Sequence, residues 1–274
     1  MTEEIGFIGL GHLGLPMASN LLDSGYALRI YNRTADKAEP LVAHGARLAA
    51  NPAETAQPGG IVASIVWDDA ALEEIVTSAG FLERLAPGGI HIGMATVAPE
   101  TSRKIAALHA EHGSVYVEAA IFGAPTAAEA RQLWIPFAGP AAAKERARPL
   151  LQAMGGQGVF DFGERIGAAT LVKIIGNYLI FSASRSLYEG LTLARKSGVD
   201  PQAVVDMLTQ TLFAAPIYQR YGQAIAESGQ VPHTQSRIPQ KDIALFEALA
   251  SQVGAPTPIA NLLESLINNS APQV

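Results

Sequence analysis

The chain has 274 residues, of which 49% are hydrophobic, and its 19 basic and 25 acidic residues give a formal net charge of −6. This length and apolar fraction suit one large or two small domains with a buried core. The negative charge argues against a nucleic-acid partner, because phosphate backbones need a basic surface. The absence of cysteine excludes disulfides, thiolate metal sites and cysteine nucleophiles.

The N-terminus and the apolar segments predict a cytoplasmic protein without a membrane partner. Residues 1–4 are acidic and lack the basic region of a secretory signal. The longest apolar candidate, residues 171–183, contains Lys173 and Asn177 and is shorter than the roughly 18 residues of a membrane span.

The first segment in chain order predicts a strand, a glycine-rich turn and a helix. An apolar run over residues 5–8 precedes a G-x-G-x-x-G motif. In such a motif Gly9 permits the tight turn, Gly11 lets the backbone approach the phosphates, and Gly14 lets the helix pack on the strand. The helix N-terminus then presents N–H groups and a partial positive charge to an anion. The alternative is an ordinary turn between strand and helix. The predicted cofactor residues here are Gly9, Gly11, His12, Leu13 and Gly14.

The end of the second predicted strand, residues 26–31, indicates which cofactor binds. In NAD sites an acidic side chain at this point holds the ribose 2′-hydroxyl, and none is present here. Asn32 is neutral, and Arg33 is a planar cation suited to a phosphate. Thr34 adds a hydroxyl, and Lys37 lies one helical turn further on. The sequence therefore predicts NADP(H). The alternative is that Arg33 is a solvated residue and Thr34 the N-cap of the next helix.

Strands and helices continue to alternate up to about residue 162. Further strands are predicted at residues 61–66, 90–94, 115–118 and 134–138. Helix starts are predicted at Asn51-Pro52, at Asp68-Asp69 and at Pro99. This alternation predicts a parallel, doubly wound sheet.

Beyond the sheet the pattern becomes helical. A proline-free segment, residues 167–196, predicts one long helix that Gly198 ends. Further helices are predicted around Met207, Ile225, Phe246 and Leu263, with Asp200-Pro201 capping the first of them. A polar tail from Asn268 is expected to fray. The predicted fold is an α/β Rossmann-type N-terminal domain, residues 1–164, followed by an all-α domain, residues 165–274, which the long interdomain helix leads.

The long helix carries the candidate catalytic residue. Lys173 and Asn177 are four apart and share one face of an apolar segment. Desolvation favours the neutral amine, so a lysine in such a setting can donate a proton near neutral pH. Asn177 could orient a substrate oxygen. The alternative, which the spacing alone favours, is that Lys173 reaches the surface and Asn177 is an ordinary polar helix residue.

Taken together, these residues resemble the β-hydroxyacid dehydrogenase family, of the 3-hydroxyisobutyrate dehydrogenase and glyoxylate/succinic semialdehyde reductase type. The likeness runs along nearly the whole chain. The segments that carry it are residues 9–17, 32–34, 94–101, 118–124, 167–177 and 241–242.

The resemblance implies NADP(H)-dependent reduction of a small aldehyde or ketone, or the reverse oxidation. Lys173 would give the proton to the substrate oxygen while NADPH gives hydride to the carbonyl carbon, and Asn177 would hold the substrate. Thr96 would lie beside the nicotinamide and the substrate. The backbone of Phe122 and Gly123 would bind a substrate carboxylate.

The resemblance also implies further cofactor contacts and an oligomer. Val66 and Trp67 would flank the nucleotide, Lys241 would reach the cofactor, and Asp242 would support closure. Family members usually form homodimers or homotetramers through the helical domain. They also usually carry a C-terminal segment beyond the point at which this chain ends.

The substrate loop departs from the family pattern Asp/Glu-x-Pro-Val-Ser-Gly-Gly. Ala120 stands in place of proline, Phe122 in place of serine and Ala124 in place of the second glycine. A bulky aromatic in place of a hydroxyl predicts a less polar pocket, which puts a small hydroxy acid in doubt.

Two other functions remain open. The altered loop resembles in part that of imine reductases, so an NADPH-dependent imine reductase is the first alternative. Lys173 together with Asn177 favours carbonyl chemistry, because imine reductases commonly place Asp or Tyr at the lysine position. A non-catalytic nucleotide-binding scaffold is the second alternative, and Lys173 argues against it.

A pair of histidines, His109 and His112, lies three residues apart on the helix predicted after Pro99. They could share a metal ion, yet no acid or third histidine completes a site. We therefore predict no metal and expect both side chains on a solvated helix face.

Overall fold

A computed structural model of the protein describes residues 3–232 and 238–270. The chain forms two compact units, Met1–Lys173 and Ile174–Val274. The first unit therefore includes the beginning of the long helix, up to and including the candidate catalytic lysine.

The first unit is built on one eight-stranded sheet. Its strands are β1 (Glu4–Ile8), β2 (Ala27–Tyr31), β3 (Arg47–Leu48), β4 (Ile61–Ser64), β5 (Ile90–Gly93), β6 (Val115–Ala119), β7 (Leu133–Ala138) and β8 (Gly156–Asp161). The spatial order is β3-β2-β1-β4-β5-β6-β7-β8. Neighbouring strands are parallel except β6 and β7. The predicted doubly wound sheet is confirmed, with one antiparallel pair and two further strands, β3 and β8.

Helices cover both faces of this sheet. They are α1 (Gly14–Asp23), α2 (Glu39–Ala43), α3 (Asp69–Val76), α4 (Phe81–Leu85), α5 (Pro99–Glu111), α6 (Pro125–Glu129) and α7 (Ala141–Ala153). The Asp68 carboxylate accepts a hydrogen bond from the N–H of Ala71 and caps α3, as predicted. Asn51 also acts as a cap, but the segment after it, Pro52–Thr55, is one 3-10 turn and not an α-helix.

Apolar side chains fill the layers on the two sides of the sheet. On one side β1 and β6 pack with α1 and α7 through Phe7, Val117, Met17 and Leu150. On the other side β4 packs with α3, α4 and α5 through Val62, Leu72, Phe81 and Ile105. Strands buried on both faces explain the continuous apolar runs in the sequence.

The second unit contains helices and no strand in its described part. The helix α8 (Ala168–Lys196) enters it from the first unit and is followed by α9 (Pro201–Thr209), α10 (Pro216–Ser228), α11 (Ile238–Val253) and α12 (Pro258–Ser270). The predicted long helix and the helices after it are confirmed. Gly198, two residues past the end of α8, has φ +74°. The last helix runs through Asn268, where a frayed tail was predicted, and residues 271–274 lie outside the described part. No helix in the described ranges is long and apolar enough to cross a membrane.

Candidate functional site

Five strands of the first unit end side by side at one edge of the sheet. Ile8, the last residue of β1, is paired with Tyr31 of β2 and with Ser64 of β4. Along the same row, Ser64 is paired with Gly93 of β5, and Gly93 with Glu118 of β6. The loops that follow contain residues 9–14, 32–34, 66–67, 96 and 122–123. The register therefore brings the predicted cofactor and substrate residues of this unit to one edge. The strand order reverses between β1 and β4, where such sheets bind nucleotides.

The glycine turn has the geometry that a dinucleotide needs. Gly9 has φ +96°, and a Cβ there would overlap the carbonyl oxygen of Ile65. A Cβ on Gly14 would overlap the carbonyl oxygen of Gly9, so α1 begins directly against the turn. A Cβ on Gly11 would meet no atom within 4 Å. The open space above Gly11 lies at the N-terminus of a ten-residue helix. It fits a pyrophosphate that accepts hydrogen bonds from backbone N–H groups.

Asn32 connects the end of β2 to this turn. Its Oδ1 accepts a hydrogen bond of 2.8 Å from the Leu10 N–H, and its Nδ2 donates one of 2.7 Å to the Thr34 carbonyl. The sequence pattern does not predict that the Asn32 side chain bonds to the backbone of the glycine turn. Thr34 occupies the N-cap position of the 3-10 turn Ala35–Ala38, as the alternative expects, although its side chain makes no capping hydrogen bond.

The predicted phosphate-selecting side chains lie at the surface beside β2. Arg33, Thr34 and Lys37 are exposed. Arg33 lines an open groove together with Tyr31 and Leu48. The guanidinium of Arg33 therefore places an exposed positive charge on an open groove beside β2.

Two further loops at this edge are fixed by carboxylates at the start of α3. Asp68 caps the helix directly after the Val66–Trp67 loop, in which Trp67 is 53% exposed. The Asp69 carboxylate accepts hydrogen bonds from the Ala98 N–H at 2.9 Å and the Thr101 hydroxyl at 2.6 Å. Asp69 thereby ties the loop that contains Thr96 to α3.

A buried carboxylate holds the start of α8 on the sheet. Glu118 is 1% exposed, and its Oε1 accepts a hydrogen bond of 3.1 Å from the Thr170 hydroxyl. Burial raises the pKa of Glu118, while hydrogen bonds from the Ser102 hydroxyl and from backbone N–H groups at the start of the helix oppose that rise. Lys173 is three residues beyond Thr170, so the contact positions the turn of α8 that carries the lysine. No sequence pattern predicts this role for Glu118.

Lys173 lies against the altered substrate loop. Its Nζ is 4.2 Å from the centroid of the Phe122 ring, within the range of a cation–π interaction. The Phe122 backbone forms an antiparallel bridge with Trp134: its N–H donates at 2.8 Å and its carbonyl accepts at 2.9 Å. The Phe122 N–H is therefore engaged within the sheet. The N–H of Gly123 has no hydrogen-bond partner among the described residues.

In the second unit a carboxylate links two of the predicted residues. The amide of Asn177 donates a hydrogen bond of 2.5 Å to Oδ2 of Asp242, and Nζ of Lys241 lies 3.2 Å from Oδ1 of Asp242. Asn177 and Asp242 are both buried. Asp242 thus fixes the orientation of the Asn177 amide, a role that the spacing did not indicate.

A buried chain of four polar side chains joins β4, β5 and α5. Ser64 Oγ is 2.7 Å from Nε2 of His91, whose Nδ1 is 3.0 Å from Nε2 of His109. Nδ1 of His109 is 2.8 Å from Oγ of Ser114. The prediction of a solvated face is wrong for His109, which is fully buried, whereas His112 is exposed. The signal that could have revealed the chain is His91 itself, a polar residue inside the apolar run of β5.

Burial sets the charge of both histidines. Desolvation, and secondarily the neighbouring His109, lowers the pKa of His91 well below its ordinary value. Desolvation, and secondarily His112, lowers the pKa of His109 to about 4. Both rings are therefore neutral at pH 7. Within the described ranges, no group of three or more His, Asp or Glu side chains could hold a metal ion.

Two family models match the chain one after the other. Residues 4–166 match the NAD binding domain of 6-phosphogluconate dehydrogenase, and residues 167–274 match the NAD-binding domain of NADP-dependent 3-hydroxyisobutyrate dehydrogenase. The chain belongs to the β-hydroxyacid dehydrogenase family. It is therefore an oxidoreductase with a domain that binds a nicotinamide dinucleotide.

Individual relatives agree with this membership. The chain is 39% identical to an uncharacterized oxidoreductase of Bacillus subtilis, YfjR, over 96% of this chain and 92% of that protein. It is 33% identical to glyoxylate/succinic semialdehyde reductase 1 of Arabidopsis thaliana, over 94% of this chain and 89% of that protein. The fold matches that of Mycobacterium tuberculosis 3-hydroxyisobutyrate dehydrogenase with a TM-score of 0.84 at 23% identity, over 98% of this chain and 94% of that one.

Proposed function

We propose that the protein is an NADP(H)-dependent reductase of small aldehydes or ketones, of the semialdehyde and β-hydroxyacid type, with Lys173 as proton donor. The observation that carries the proposal is the placement of Lys173. The buried Glu118–Thr170 contact holds its helix at the end of β6, which is paired with β5, the strand that leads into the Thr96 loop. The end of β1, which leads into the glycine turn, lies in the same row of strand ends, beyond β5 and β4. The relationship to the Arabidopsis semialdehyde reductase supports the substrate class.

Bound NADPH would supply the hydride for the carbonyl carbon. The Lys173 ammonium gives a proton to the carbonyl oxygen, which becomes a hydroxyl, and the resulting amine regains a proton from water. The products are the alcohol and NADP⁺. The residues proposed for the substrate are Thr96, Phe122, Gly123 and Asn177. The residues proposed for the cofactor are Gly9, Gly11, His12, Leu13, Gly14, Asn32, Arg33, Thr34, Lys37, Val66, Trp67, Thr96 and Lys241.

The two parts of the chain contribute differently in this proposal. Residues 1–164 supply most of the NADP(H) contacts, and residues 165–274 contribute Asn177 to substrate binding, Lys241 to the cofactor, and the surface of a homodimer or homotetramer. Exposed apolar side chains on α8 support a subunit interface, because Ile175 and Leu179, which are 40% and 57% exposed, are four residues apart on one face of the helix. Contiguous exposed apolar surface is typical of protein–protein interfaces.

The proposed activity can be tested by NADPH consumption with a mixed panel of substrates. The panel contains succinic semialdehyde, glyoxylate, 2-oxo acids, uncharged aldehydes and ketones, and cyclic imines. We expect turnover of at least one carbonyl compound. Turnover of imines alone would replace the proposal by an imine reductase, and tight NADPH binding without any turnover would indicate a nucleotide-binding scaffold.

We expect Arg33→Ala to weaken NADPH binding by about 10- to 100-fold, because a hydrogen bond to a charged group contributes about 1.5–3 kcal/mol. Binding of NADH, which lacks the 2′-phosphate, should change far less. Fluorescence titration of both cofactors measures the two dissociation constants. Arg84→Ala, which removes an exposed arginine from α4, is the matched control. An unchanged preference between NADPH and NADH would show that Arg33 does not select the phosphate.

A further inference from the structure

The Phe122 ring forms part of the immediate surroundings of the Lys173 ammonium. The 4.2 Å separation between Nζ and the ring centroid places the cation over the π-system. The face of an aromatic ring carries partial negative charge, which attracts an ammonium and repels a carboxylate. Both side chains belong to the first unit, and the contact joins the loop after β6 to the start of α8.

The backbone of the same loop offers few donors to an anion. The Phe122 N–H is bonded to the Trp134 carbonyl at 2.8 Å. Ala120 and Ile121, directly before it, are 1% and 4% exposed and have apolar side chains. A carboxylate held against this segment loses hydrogen bonds to water. Of the two backbone N–H groups of Phe122 and Gly123, the Gly123 N–H is the one that could replace a lost hydrogen bond. Burial of a charge without such replacement is costly.

The position of the proton donor determines which part of a substrate meets this surface. A carbonyl oxygen that takes the proton from Nζ has both substituents of its carbon close to Nζ. Because Nζ lies 4.2 Å from the Phe122 ring centroid, a substituent on the ring side of this carbon lies against the ring. An apolar carbon packs well there, whereas a carboxylate meets the negative face of the ring.

We propose that Phe122 is a specificity-determining residue that excludes substrates with a carboxylate on the reacting carbon. The proposal rests on the function proposed above, in which Lys173 donates the proton. It narrows the substrate class to carbonyl compounds with hydrogen or an apolar carbon on the reacting carbon. Aldehydes with a remote acid group and uncharged aldehydes belong to this class, and glyoxylate and 2-oxo acids do not.

The test measures one quotient, kcat/KM for glyoxylate divided by kcat/KM for propanal, in the wild type and in variants. Intrinsic differences in reactivity between the two aldehydes cancel when quotients are compared. Phe122→Ser should raise the quotient by about 10- to 100-fold, because it removes the π-face and adds a hydroxyl donor for the carboxylate. Phe122→Leu removes the π-face but adds no donor, so its quotient should rise by a smaller factor, about 2- to 10-fold.

Controls separate the specificity effect from damage to the fold. Phe162→Ser makes the same chemical change at an exposed phenylalanine of the first unit and should leave the quotient unchanged. The NADPH dissociation constant of each variant shows whether the first unit is intact. Turnover with an unchanged quotient in both Phe122 variants would overturn this inference alone. No turnover of any carbonyl compound by the wild type would overturn the proposed function, and this inference with it.

Discussion

Replacement of Lys173 by alanine should lower kcat by about 10²- to 10⁴-fold, the usual contribution of a positioned general acid. The dissociation constant for NADPH should change little. The residues proposed to hold the pyrophosphate and the 2′-phosphate lie in the loops after β1 and β2, whereas Lys173 lies at the start of α8. Steady-state assays with the best substrate of the panel, together with fluorescence titration of NADPH, measure the two quantities.

A second substitution separates proton donation from packing. Lys173→Arg keeps a cation that can stack on the Phe122 ring, but a guanidinium holds its protons at every accessible pH. We expect this variant to bind NADPH normally and to lose most of its turnover. Lys104→Ala, which removes a surface lysine paired with Glu73 at 2.8 Å, is the matched control. Equal losses of turnover and of NADPH affinity in Lys173→Ala would instead mean that Lys173 is structural.

The features that were predictable from the sequence are those that depend on local geometry. Only glycine tolerates the φ of Gly9 and the contact between Gly14 and the Gly9 carbonyl. The strand–turn–helix could therefore be predicted from a short run of consecutive residues. The long helix was equally predictable, because a proline-free helical pattern extends over all of its 29 residues. Parallel pairing of the strands then places their carboxyl ends at the same edge of the sheet, so the shared edge was predictable as well.

The features that were missed depend on partners distant in the chain. Glu118 meets Thr170, 52 residues away, and Asn177 meets Asp242, 65 residues away. Each of these contacts decides how a proposed catalytic or substrate residue is held, and no short motif encodes either. The strand β3 has only two residues, too few for a periodic pattern. The direction of β7 follows from its pairing with β6 in the folded sheet.

The buried histidine chain is the clearest example of such a long-range arrangement. His91 and His109 are 18 residues apart, and the helical pattern of α5 gave no sign that His109 faces the sheet. The Ser114 hydroxyl donates to the His109 carbonyl at 3.2 Å, so it accepts from Nδ1–H of His109. His109 Nε2 then accepts from Nδ1–H of His91, and His91 Nε2 accepts from the Ser64 hydroxyl. One tautomer of each neutral ring satisfies the whole chain, and a proton on either ring would break it.

The stability of the first unit should therefore fall as the pH is lowered from about 6.5 to about 4. The pKa of His109 is about 4 in the folded protein and about 6.5 in an unfolded chain, so the unfolded state binds more protons between these values. The stabilisation is complete above pH 6.5 and is lost toward pH 4, by about 3 kcal/mol for His109 alone. His91, whose pKa is also lowered, adds to the loss in the same direction.

Urea unfolding at pH 7, 5.5 and 4.5 measures this loss, with tryptophan fluorescence as the probe, because both tryptophans, Trp67 and Trp134, lie in the first unit. The side chains in direct contact with the two rings are those of Ser64, Phe81, Tyr116 and Ser114, and His112 is the further ionisable neighbour that lowers the pKa of His109. Glu118, with its raised pKa, changes the stability in the opposite direction, so the comparison of variants isolates the effect of the histidines.

His109→Gln should be less stable than the wild type at pH 7 and should lose less of its stability on acidification. His44→Gln, at an exposed histidine, should retain the wild-type slope of stability against pH. Equal slopes in His109→Gln and the wild type would show that the buried chain does not bind the protons that destabilise the fold.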